Sequence, residues 1–165
     1  ERFDDSVGRG DRVAPQTGPP AAIRSERTRR SVGLDDLEGR WRLERIIEDR
    51  RAGLAGRLEG TCLFSPDAEG LVQEEVGVLS YGDAPPMQAR RRYLWRAEGD
   101  GLAVFFEDGR PFHRIASGCL SDTHLCPPDT YEVAYLLDDW PAFSTTWCVS
   151  GPRKDLLIRS RYSPA

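Results

Sequence analysis

Met87-Gln88-Ala89-Arg90-Arg91-Arg92-Tyr93-Leu94-Trp95-Arg96-Ala97 is the stretch that decides the fold class. Side chains alternate along a strand, so Met87, Ala89, Arg91, Tyr93, Trp95 and Ala97 share one face. Gln88, Arg90, Arg92, Leu94 and Arg96 share the other. One face is aromatic and the other cationic, which is the pattern of a half-buried strand in an antiparallel sheet. Arg91 is the exception within the aromatic face. A guanidinium that enters a core needs an anionic partner. Glu74, Glu75 or the carboxylate of a ligand can supply it.

Short alternating runs extend outward from this strand in both directions. A first strand opens at Leu37, Gly39, Trp41 and Leu43, and Ile46–Leu54 reads as its end or as a short helix. Gly56–Ser65 is a second strand, turned by Pro66-Asp67-Ala68-Glu69-Gly70. Val72, Val76 and Val78 lie on one face of a third. After Glu98-Gly99-Asp100-Gly101 come Leu102–Phe106, the turn Asp108-Gly109-Arg110, and Phe112–Ile115. Tyr131, Val133, Tyr135 and Leu137 align on a later strand, and Phe143, Thr145, Trp147 and Val149 on the next. Gly151-Pro152-Arg153-Lys154-Asp155 turns into Leu156–Tyr162. Eight to nine short strands at regular spacing predict an all-β antiparallel barrel over residues 34–165. Residues 1–33 carry seven Arg, five acids and three Pro with little apolar content, and are expected to form a flexible, disordered N-terminal arm.

The whole chain has 165 residues and a formal net charge of −4, which excludes a global basic field for nucleic acid. Without residues 1–33, sixteen basic and 22 acidic side chains remain, net −6. No apolar run reaches the ~20 residues of a membrane span. The expected partner is a small-molecule ligand, with no nucleic acid and no membrane, and nothing in the chain sets an oligomeric state. Twenty-two Arg against the single Lys154 fits a GC-rich bacterial genome. No secretory signal is visible, so the expected compartment is the cytoplasm, with Cys62, Cys119, Cys126 and Cys148 as free thiols.

Leu37-Glu38-Gly39-Arg40-Trp41 resembles the Gly-x-Trp opening of lipocalin-like barrels. That resemblance implies a Trp that plugs one end of the barrel, with Arg159 or Arg161 of the last strand packed across its ring. Three further stretches, Phe105–His113, His124–Tyr131 and Trp147–Asp155, are similar to an uncharacterised family of lipocalin-like domains. This second resemblance spans about residues 34–163. It implies a barrel and no particular activity.

Three functional readings follow. In the first, a small, partly apolar molecule binds in the barrel lumen. Arg91, Tyr93, Trp95, Phe106, Tyr135, Trp147 and Lys154 are its candidate contacts. In the second, an isomerase or cyclase uses His113, His124, Asp129 and Tyr131 as proton-handling catalytic groups. In the third, His113, His124 and Cys126 hold a soft or borderline metal. The spacing of those ligands matches no standard zinc module, and no metal is assigned. Neither G-x-G-x-x-G nor a Walker pattern occurs, and no cofactor is expected.

Overall fold

Each ladder in the structure is antiparallel and joins neighbouring strands, as short alternating runs separated by tight turns dictate. The computed structural model describes residues 32–165. A short helix α1 (Leu34–Leu37) leads into β1 (Gly39–Asp49), β2 (Leu54–Pro66), β3 (Gly70–Tyr81), β4 (Met87–Glu98) and β5 (Gly101–Phe106). Then follow β6 (Pro111–Ala116), β7 (Ser121–Cys126), β8 (Asp129–Leu136), β9 (Phe143–Ser150) and β10 (Asp155–Pro164). The strand order is β6-β5-β4-β3-β2-β1-β10-β9-β8-β7. First and last strands pair in mid-sheet, with Ile47 opposite Ile158.

The two sheet edges, β6 and β7, are consecutive in sequence, so the sheet curls into a nearly closed barrel. A tight turn joins them at the Ala116–Cys119 bridge, where each residue's N–H donates to the other's carbonyl at 2.9 Å. Further along this seam the Arg114 N–H donates to Asp122 Oδ2 at 2.8 Å. A carboxylate thus satisfies an edge N–H that an unpaired strand would leave exposed.

The strand count is ten, where eight to nine were expected. The additional strand is β7, Ser-Asp-Thr-His-Leu-Cys, none of whose residues is fully buried. Its Ser, Asp and Thr read as loop chemistry. The Ile46–Leu54 ambiguity resolves as strand to Asp49 and then a turn over 50–53. The expected arm lies outside the described residues except for Val32 and Gly33, and Val32 already packs against the core.

One end of the barrel is plugged. Leu37 of α1 and Trp41 are 2% and 4% exposed, and Trp41 Nε1 donates to the Leu37 carbonyl at 2.8 Å. Trp140 and Phe143 pack on the Trp41 ring at 5.9 and 5.1 Å between centroids. The expected arginine across Trp41 is replaced by these aromatic rings. Arg159 and Arg161 alternate outward from β10, onto Glu48 at 2.7 Å and Asp139 at 3.3 Å. The other end carries the turns 50–53, 82–86, 107–110, 127–128 and 151–154, and forms the mouth.

Gly60 of β2 lies opposite Gly77 of β3. A Cβ on Gly60 would stand 2.1 Å from the Val76 carbonyl oxygen and 2.5 Å from Gly77 Cα. Only glycine lets β2 and β3 approach this closely. Parity sets the interior. Leu71, Gln73 and Glu75 of β3 are buried, whereas Val76 and Val78 face outward, 41% and 49% exposed. Polar residues therefore occupy the barrel's middle on this strand, and they do so because β1 sends a charge inward.

Candidate functional site at the barrel mouth

That charge is Arg45, two residues beyond Leu43 on the inward face of β1. Its NH2 donates to both carboxylate oxygens of Glu75 at 2.9 and 3.0 Å, and both side chains are 3% exposed. Its Nε donates to Ser160 Oγ at 2.7 Å. The Tyr162 hydroxyl donates to Glu75 Oε2. Gln73 Nε2 donates to the same oxygen at 3.2 Å, and Trp95 Nε1 donates to Gln73 Oε1 at 2.7 Å. The chain of bonds satisfies every member, which a buried ion pair requires to be tolerable.

Arg91 sits directly across the β3–β4 ladder from Glu75. Glu75 is committed to Arg45. Glu74, one residue earlier, faces outward onto Arg90 at 2.8 Å and Arg92 at 3.3 Å. Neither glutamate suggested by the sequence is therefore the partner of Arg91. Among the described residues no carboxylate forms an ion pair with it. Its guanidinium carbon lies 5.8 Å from the centroid of the Trp147 ring, a cation–π contact. Trp147 Nε1 is itself buried and has no acceptor among the described residues. The Arg91 cation thus lies over the Trp147 ring, which also borders a central cavity.

Three spaces lie around these residues, one bordered by Trp147 and two by Arg91. The central cavity, of about 10 Å3, is lined by Gln73, Tyr93, His113, Tyr135 and Trp147 among others, and is at the lower limit for one water. A second, of about 40 Å3, lies among Arg45, Glu75, Arg91 and the aliphatic side chains of Ile47, Leu58, Leu79 and Ala89. The third is an open recess of about 550 Å3 at the mouth, lined by Arg91, Arg92, Tyr93, Phe106, Glu107, Asp108 and Arg110. Arg91 borders both the aliphatic cavity and the recess. Burial pushes the Tyr93 phenol up, and the Arg91 charge beside it opposes that shift.

The expected ligand contacts are thus partly assembled. Tyr93 packs on Trp147 at 6.1 Å and on Phe106 at 6.4 Å. Trp95 and Tyr135 are deeper, 6.1 Å apart, and fill the lumen. Lys154 is at the rim, 2.9 Å from Asp129, whose carboxylate raises the lysine's affinity for its proton through their hydrogen bond.

Of the four proton-handling candidates, His124 and Tyr131 are cross-strand neighbours on β7 and β8, and His113 reaches them only through the Phe112 ring between. His113 is 5% exposed, and its Nε2 shares a 2.7 Å hydrogen bond with the Tyr135 hydroxyl. Burial pushes the His113 imidazole down to about 4, with the Asp122 charge opposing, so it is neutral near pH 7. Its Nδ1 has no partner. His124 packs edge-on against Phe106 and Phe112 at 5.6 and 5.5 Å, and its ring lies 6.2 Å from that of Tyr131. Asp129 serves Lys154, so no bond to either histidine is shown for it. His113, His124 and Cys126 likewise form no metal cage, since no group of three or more His, Cys, Asp or Glu side chains gathers among the described residues. All four cysteines are unpaired thiols.

Arg45, Gln73, Ser160 and Tyr162 are members of the buried polar network that the sequence reading missed. For Arg45 the signal was available, because Trp41, Leu43 and Arg45 share parity. The apolar pair Ile46-Ile47 masked it.

Fold and site together define an all-β antiparallel barrel with a plugged end and a cationic, aromatic mouth. The chain belongs to a family of unknown function, DUF6314, whose family model matches residues 37–164. No curated protein matches it. No helix among the described residues is long and apolar enough to cross a membrane.

Proposed function

We propose that this protein binds a small, partly apolar molecule with an anionic end, seated at the barrel mouth. The observation that carries this reading is Arg91, a half-buried cation at the mouth that has Tyr93 and the Trp147 ring beside it but, among the described residues, no carboxylate paired with it. Buried and half-buried donors are normally satisfied, and an exception asks for a missing partner. One carboxylate supplies both an anion and two acceptor oxygens. Tyr93 and Phe106 provide the apolar wall beside it. The narrow cavities behind Arg91 favour a ligand lying across the mouth over one along the barrel axis. We also read the barrel as lipocalin-like, on Gly39-x-Trp41 and the meander that follows it. The compartment we infer is a bacterial cytoplasm, on the arginine-rich composition and the four free thiols.

The acid–base alternative retains one favourable feature, the His113–Tyr135 hydrogen bond at the central cavity. It lacks space there for a substrate. Calorimetric titration with benzoate and octanoate, on wild type and Arg91→Gln, tests the binding reading. Saturable binding by at least one acid, weakened about 10- to 100-fold in the variant, is expected for loss of a charge-assisted hydrogen bond. Binding that Arg91→Gln leaves unchanged, or binding of neither acid, contradicts it.

A further inference from the structure

The recess that Arg91 faces has a composition of its own. Its walls are planar groups, the rings of Tyr93 and Phe106 and the guanidinium groups of Arg91, Arg92 and Arg110, with Glu107 and Asp108 at the edge. It contains no aliphatic side chain. The aliphatic side chains of Ile47, Leu58, Leu79 and Ala89 line the other space bordering Arg91. That space, at about 40 Å3, has room for roughly three waters at the ~10–15 Å3 each requires. A flexible alkyl chain would find its matching wall only where there is no length to hold it. The roomy side offers flat surfaces instead.

Those flat surfaces are already ordered. Phe106 stacks on Phe112 with ring centroids 4.5 Å apart and planes 6° from parallel. Arg110 lies over the Phe106 ring at 5.5 Å while its Nε holds Asp108 at 2.6 Å. Tyr93 approaches Trp147 edge to face, 80° between planes. The rings are fixed by one another before any ligand arrives, which lowers the entropic cost of binding a rigid partner. Aromatic faces favour offset-stacked or edge-to-face neighbours over saturated chains, and guanidinium planes do the same through cation–π contact.

We propose that the ligand is a planar aromatic acid, its carboxylate held by Arg91 and its ring packed in the recess against Tyr93, Phe106 and Arg110. This rests on the anion-binding reading above and adds the chemical class of the ligand's body. Arg91 touches the carboxylate. Phe106, Tyr93 and Arg110 set the preference for a ring.

The test compares benzoate with heptanoate, and naphthoate with undecanoate, acids matched pairwise in carbon count. Each is titrated calorimetrically into wild type, Arg91→Gln, Phe106→Leu and Arg110→Ala. The aromatic member of each pair is expected to bind about three- to tenfold more tightly, the scale of one added aromatic contact. Phe106→Leu is expected to erase that preference. Arg110→Ala is expected to weaken the aromatic acids and leave the aliphatic ones unchanged. Its side chain is 70% exposed, so it reports even where Phe106→Leu unfolds. Tighter binding of the aliphatic acids, still dependent on Arg91, overturns the aromatic assignment and leaves the anion site standing. An aromatic preference indifferent to both recess variants overturns the seat proposed for the ring. Binding of none of the four acids overturns both readings.

Discussion

Glu75 lies directly across the β3–β4 ladder from Arg91, yet its carboxylate is held by Arg45 at 2.9 and 3.0 Å. The barrel interior thus contains one internally neutralised cation and one cation left at its lip. Had Glu75 turned to Arg91, Arg45 would be buried without compensation, in the middle of the barrel. Desolvation is more costly at Arg45, 3% exposed, than at the half-buried Arg91. The deeper arginine therefore keeps the carboxylate.

This arrangement predicts an asymmetric response to mutation. Glu75→Ala strands the Arg45 guanidinium and is expected to cost about 3–5 kcal/mol. Arg45→Met combined with Glu75→Leu removes both charges and is expected to restore most of that stability. Urea denaturation of the two variants checks this. A double variant no more stable than Glu75→Ala would show that shape rather than charge governs the site.

The buried His113 predicts a defined acid limb in stability. Its folded value is near 4, below the ordinary 6.5, so the unfolded chain binds the proton first as pH falls. Its contribution is complete above about pH 6.5, is lost progressively between about 6.5 and 4, and changes no further below that. The full loss is about 3 kcal/mol at 1.36 kcal/mol per unit. His113→Gln retains an acceptor for Tyr135 and removes the titration. Denaturation midpoints across this range are expected to fall less steeply in the variant, and equal slopes would refute the assignment.

In the β2–β3 ladder, Gly60→Ala places a methyl 2.1 Å from the Val76 carbonyl oxygen and 2.5 Å from Gly77 Cα. Both are backbone atoms that cannot swing away. The expected destabilisation is at least about 1–3 kcal/mol, the range for overpacking. Gly109→Ala, where a Cβ meets nothing within 4 Å but φ is +86°, isolates conformational strain from crowding. The Gly60 variant is expected to show the larger drop in thermal midpoint.

Alternation made much of the barrel legible in the sequence. The β4 face of Tyr93 and Trp95 is buried as its pattern required, and Arg91 stands on that face, at the mouth. Strand β7 was hidden because a seam strand buries nothing fully, so Ser121, Asp122 and Thr123 carry no apolar period. The outward placement of Val76 and Val78 was hidden for the converse reason: Gln73 and Glu75 turn inward onto Trp95, Tyr162 and Arg45, and strand alternation then leaves the valines outside. The site was legible as a list of residues and not as a geometry. Asp129 went to Lys154 and Glu75 to Arg45 through pairings between strands distant in sequence, which no local pattern reports.

The central claim is that the mouth holds a carboxylate on Arg91, whose guanidinium lies over the Trp147 ring, so the indole N–H signals report on it. The chain has four tryptophans, and Trp147→Phe assigns the fourth by its disappearance from a 15N-resolved spectrum. Trp41 Nε1 already donates to the Leu37 carbonyl, and Trp95 Nε1 to Gln73. Titration with benzoate is expected to move the Trp147 signal as the Arg91 guanidinium over its ring takes up the carboxylate, to leave those of Trp41 and Trp95 nearly still, and to move none of the three in Arg91→Gln. A Trp147 signal unmoved at saturating benzoate, or moved equally in Arg91→Gln, would contradict the account.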